Sequence, residues 1–90
     1  MSASKEAPRI EIKIESTAGS IKRTFNLNQK IHAVKVSAMA ELHMDTSAAS
    51  KYGMFIKGKN EQLPEDKTLE ELGITEGITL VISLLGAEVI

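Results

Sequence analysis

From Ile10 the chain alternates apolar and charged positions, with Ile10, Ile12 and Ile14 set against Glu11, Lys13 and Glu15. A period of two is that of a strand with one dry face and one wet face. Ser16-Thr17-Ala18-Gly19-Ser20 then gathers small turn formers, and Gly19 can adopt positive φ, which predicts a hairpin. On the returning strand Ile21, Phe25 and Leu27 share one parity, and Arg23 interrupts it, which predicts a face only partly covered. Beyond Asn28, a suitable cap, Ile31, Val34, Ala38 and Leu42 recur at spacings of three and four. That is the spacing of an amphipathic helix. Val36, Met39 and Met44 widen its apolar sector, and Lys35, Glu41 and His43 are assigned to the polar side. Asp45 to Ser50 reads as a loop.

In the second half a short apolar run, Met54-Phe55-Ile56, is bounded by Gly53 and by the turn-forming Lys57-Gly58-Lys59-Asn60, which predicts another strand. Thr68-Leu69-Glu70-Glu71-Leu72-Gly73-Ile74 predicts a single helical turn: Thr68 can cap it, Glu71 stands where a reciprocal cap belongs, and Gly73 can end it. Glu76-Gly77 turns the chain, and Ile78-Thr79-Leu80-Val81-Ile82 is β-prone and almost wholly apolar, as a central strand would be. Strand, strand, helix, strand, turn, strand is the order of an α+β β-grasp: a mixed sheet of four to five strands with one helix packed across it.

These residues resemble ubiquitin and its relatives from Arg9 to Leu84. The match is clearest through Phe55-Ile56-Lys57-Gly58-Lys59, Leu63, Lys67-Thr68-Leu69-Glu70-Glu71-Leu72-Gly73-Ile74 and Thr79-Leu80, with two extra residues near Asn60 and Glu61. The resemblance implies a core of Met54, Ile56, Leu69, Ile74, Leu80 and Ile82 against Ile31, Val34 and Ala38. It also implies a partner-binding patch on the open sheet face at Phe55, Val81 and Ser83, near Ala18, and Leu84 and Leu85 are expected to join these as contact residues. The stretch Ala33-Val34 to Ala40-Glu41 and Thr46 to Ala49 is similar to the ubiquitin-fold modifier family, whose members mature to a single terminal Gly. The organisation expected is a polar tail over 1–8, a ubiquitin-like domain over 9–84 and a C-terminal tail over 85–90.

Composition narrows the function classes. A chain of 90 residues supports one core and no second lobe. Eleven Lys and Arg against twelve Asp and Glu make a net charge of −1, too weak a field to gather nucleic acid or an anionic membrane. Cysteine is absent, which removes disulfides, thiol nucleophiles and thiolate metal sites. No run approaches the ~20 apolar residues of a membrane span, and the expectation is a cytoplasmic protein without cofactor or metal, while the resemblance to prokaryotic ubiquitin-like modifiers implies a prokaryotic one. His32 and His43 lie three helical turns apart, too far for one metal site. The carboxylate pairs Glu65-Asp66 and Glu70-Glu71 have no cleft to desolvate them, so no catalytic residue is expected.

The tail divides the remaining readings. Ubiquitin-type modifiers and sulfur carriers act through a terminal Gly-Gly, whereas this tail, Ser83-Leu84-Leu85-Gly86-Ala87-Glu88-Val89-Ile90, has Gly86 alone. In the leading reading a processing protease cuts after Gly86, and activating and conjugating enzymes then join the chain to target proteins. In the alternative, a non-conjugated interaction module of the kind that accompanies secretion systems, Leu84, Leu85, Val89 and Ile90 extend the last strand or cover an edge and Gly86 is a turn. A sulfur carrier ranks third. The same alternatives apply to Phe55, which either joins Val81 in an apolar anchor or is covered by the tail, and Lys57 and Lys59 read as solvated rather than as acceptors.

Overall fold

The computed structural model describes residues 8–85. Strand β1 (Arg9–Ser16) turns tightly into β2 (Gly19–Asn26), and Ser16 pairs with Gly19 across a turn that needs the φ of 138° found at this glycine. The helix α1 (Ile31–Glu41) follows, then a short 3-10 segment (Thr46–Lys51), β3 (Tyr52–Ile56) and, after a long connection, β4 (Thr79–Leu84). The sheet order is β2-β1-β4-β3, with β1 and β4 parallel and both outer pairs antiparallel. The four-stranded mixed sheet with a helix packed across it is the β-grasp that the residue pattern predicts.

The register fixes which side chains meet the helix. Ile12, Ile14, Phe25, Met54, Leu80 and Ile82 form one dry layer with Ile31, Val34, Ala38 and Met39 of α1, closed at one end by Leu69 and Ile74. Ile12, Ile14 and Leu80 are fully buried, and removing each from water contributes about 1.5–3 kcal/mol. Ile56 is only partly buried, at the margin of this layer rather than within it. Arg23 shares the parity of Phe25 and so faces the helix, but its guanidinium lies 5.6 Å from the Phe25 ring centre and donates to Glu41 at 2.9 Å. The Arg23 interruption therefore closes the edge of the core instead of exposing it.

Several local expectations need correction. Asn28 does not cap the helix; the cap position of α1 is Lys30, whose side chain makes no capping bond. Its free N–H groups are met by tertiary contacts, with Ile31 donating to the Lys67 carbonyl at 2.9 Å and His32 to that of Glu65 at 3.1 Å. Asp45 to Ser50 is not an open loop: Asp45 accepts from the Ser47 N–H at 3.0 Å and starts the 3-10 segment. Gly53 lies inside β3, not at its border. Lys35, assigned to the polar side of the helix, is fully buried. The turn at Thr68 is as predicted: Thr68 N–H donates to Glu71 at 2.9 Å, Glu71 N–H donates to the Thr68 hydroxyl at 3.1 Å, and Gly73 takes φ 71°.

Candidate functional site on the open sheet face

With the helix on one side of the sheet, alternation sends the other residues of each strand to the opposite side. The pairings Glu15 with Val81 and Val81 with Phe55 set those three residues in one row across β1, β4 and β3. Phe55 and Val81 are half-buried, directly opposite one another, on a face whose β1 members are Glu11, Lys13 and Glu15. Lys57 reaches across to Glu15 at 3.3 Å and Lys13 approaches it at 3.5 Å. The hydrogen bond from Lys57, assisted by the charges of both lysines, outweighs desolvation and holds the Glu15 carboxyl below its ordinary range. Phe55 and Val81 thus form an apolar step beside a charged rim. A shallow groove of about 280 Å³ is lined by this pair together with Ser83, Lys57, Lys59 and Asn60.

The five contact residues expected from the sequence do not all share this face. Phe55, Val81, Ser83 and Leu85 follow one parity, whereas Leu84 follows that of Leu80 and Ile82 and opens on the other side, 48% exposed. Leu84 and Tyr52 instead edge a second hollow of about 430 Å³, where β1 turns away at Ser16 and leaves the end of β4 beside Thr17. Ala18 is exposed in the hairpin turn. Gly86 lies outside the described residues.

A polar cluster that the sequence reading missed lies behind β3. The Lys35 Nζ donates to the carbonyls of Ala49 and Tyr52, both at 2.8 Å, and to Glu65 at 2.5 Å. His32 contacts the other Glu65 oxygen at 3.0 Å. Partial burial alone would raise the Glu65 carboxyl, but its bonds to Lys35 and His32 and their charges prevail and hold it below the ordinary carboxylate range. The signal was present in the sequence, since position 35 lies four residues after Ile31 and three and four before Ala38 and Met39, in the middle of the apolar stripe.

Chemically, the arrangement offers contact area. Glu65 and Glu71, one from each carboxylate pair, are both held below the ordinary range, the reverse of what a general acid near neutral pH requires; for Glu71 the main cause is the backbone hydrogen bond from Thr68. His32 and His43 are both exposed, and among the described residues no three His, Cys, Asp or Glu side chains gather as metal ligands. No described helix is long and apolar enough to cross a membrane.

No protein-family model matches the chain, and no curated protein sequence matches it. Solved structures do. A designed protein based on ubiquitin is 22% identical, with a TM-score of 0.72 over 89% of this chain and 93% of its own. Caldiarchaeum subterraneum ubiquitin is 21% identical, with a TM-score of 0.70 over 90% of this chain and 100% of its own. The ubiquitin-like domain of Arabidopsis thaliana protein At2g32350 is 15% identical, with a TM-score of 0.71 over 93% and 85%. At these identities the likeness is one of fold, and the fold is that of the ubiquitin-like β-grasp.

Proposed function

We propose that this protein is a ubiquitin-like module that other proteins grip by its open sheet face, and that it contributes a surface rather than catalytic groups. One observation carries the proposal: Phe55 and Val81 form a cross-strand apolar pair, half-exposed, beside the charged β1 row of Glu11, Lys13 and Glu15. Such a pair is the kind of desolvated anchor that dominates protein contacts. A fitting partner inserts an apolar side chain between Phe55 and Val81 and offers carboxylates to Lys57 and Lys59.

A finer reading makes the same module a protein modifier, trimmed after Gly86 by a protease and handed by activating and conjugating enzymes to target proteins. It is supported by the course of β4, which ends at Leu84, so that Gly86 stands two residues beyond the last strand. Both readings are tested in the native cell by placing a photo-reactive phenylalanine analogue at position 55 or at Ala40, an exposed position on the helix. Isolation under denaturing conditions should give light-dependent adducts from position 55 and few from position 40. Equal labelling from the two positions would refute the open-face reading. A ladder without light, abolished by Gly86→Val, is expected of the modifier and not of the docking module.

A further inference from the structure

Gly53 has no conformational reason to be glycine. It lies within β3, paired with Ser83, is not among the positive-φ positions, and interrupts a strand where a side chain would add packing. Space explains it. A Cβ built there would lie 2.8 Å from Leu85 Cδ2 and 3.0 Å from Gln62 Nε2, closer than carbon atoms pack. The Leu85 side chain therefore rests directly on the β3 backbone, with Gln62 at its flank. Two residues before Gly53, the Lys51 carbonyl accepts the Leu85 N–H at 2.7 Å. The backbone of Gln62 is held beside β3, because its segment bridges to Phe55 and the Leu63 N–H donates to the Met54 carbonyl at 2.8 Å.

We propose that Leu85, seated on Gly53 and fastened to the Lys51 carbonyl, is a latch that holds the exit of the chain against the open face. A protein that takes hold of the tail must first lift Leu85, and in doing so it uncovers the β3 backbone two residues from Phe55. The latch thereby couples use of the tail to occupancy of the Phe55–Val81 pair, as an autoinhibitory contact released by a partner that binds both. The seating of Leu85 stands on Gly53, Gln62 and the Lys51 carbonyl alone, so its test is independent of the proposed function, whereas the coupling to the Phe55–Val81 pair rests on that function.

The test uses the whole chain without any partner. Amide hydrogen exchange at Leu85 should be slowed about tenfold or more relative to an unstructured peptide of the same sequence, as a closed local hydrogen bond requires. Carboxypeptidase digestion of the wild type should stall at Leu85. Gly53→Ala should weaken both effects by shifting the leucine from its seat. Because that change could disturb β3, Leu85→Gly provides a second route: it removes the seated side chain, leaves β3 untouched and should give the same loss of protection with an unaltered melting curve. A wild-type Leu85 amide that exchanges at the peptide rate would overturn the latch. So would full protection retained in Leu85→Gly.

Discussion

Lys35 shows how a single residue can be misassigned by type and explained by position. A lysine on a helix ordinarily goes to the wet side, yet this one is fully buried because three oxygens on three different segments await its ammonium: Ala49, Tyr52 and Glu65. It joins the helix, the 3-10 segment, the start of β3 and the loop before Thr68. Since the folded-state pKa of Glu65 is depressed, its contribution to stability is complete above its ordinary value of 4.5 and drains away as the pH falls through the lower folded value. Glu65→Gln should therefore be less stable than wild type at pH 7, and the gap should narrow as the pH falls from 4.5 through the lower folded value, where the wild-type carboxyl takes up its proton. Urea denaturation at several pH values measures both parts. A gap independent of pH would show that the carboxylate charge has no role. Glu15, Asp45 and Glu71 are also held low and give both proteins a common acid slope, so only the difference is diagnostic.

At the scale of elements, periodicity located the strands and the helix, but the ends were set by contacts that no local pattern contains. The start of α1 is satisfied by carbonyls more than thirty residues along the chain, which a search for a capping side chain could not find. Its other end carries a recognisable motif without its usual residue. Met44 N–H donates to the Met39 carbonyl at 2.8 Å around His43, which takes φ 62° where glycine is favoured. His43→Gly should relieve that conformation and raise stability by about 1 kcal/mol, read as a shift in the denaturation midpoint. A fall in stability would mean that the histidine side chain earns its place by another contact. The capping pair of Thr68 and Glu71 was legible because all its partners lie within one turn of chain. In the sheet, Leu80 lies opposite both Ile14 and Ile56 and is fully buried. Leu80→Ala should cost about 2–5 kcal/mol, and a cost within the scatter of surface changes would contradict this packing.

For the whole molecule, the β-grasp was readable because order and spacing of elements, turn chemistry and a long local resemblance all pointed the same way. The site was readable only in part. Phe55, Val81 and Ser83 fall on one face as expected, since strand alternation follows directly from sequence. Leu84 departs from them by the same rule once β4 is seen to continue straight through it. Gly53 looked like punctuation because its neighbour in space, Leu85, is remote in sequence. The central claim is that the face carrying Phe55 and Val81 is where partners bind. It is tested most directly by the affinity of a partner recovered by cross-linking at position 55. That affinity is measured for the wild type, for Val81→Asp and for the helix-side control Ala40→Asp, after matching melting curves establish that all three are folded. Open-face binding predicts a loss of about thirtyfold or more for Val81→Asp, the equivalent of a ~2 kcal/mol anchor, and no change for Ala40→Asp. Undiminished affinity in Val81→Asp, or an equal loss in Ala40→Asp, would contradict it.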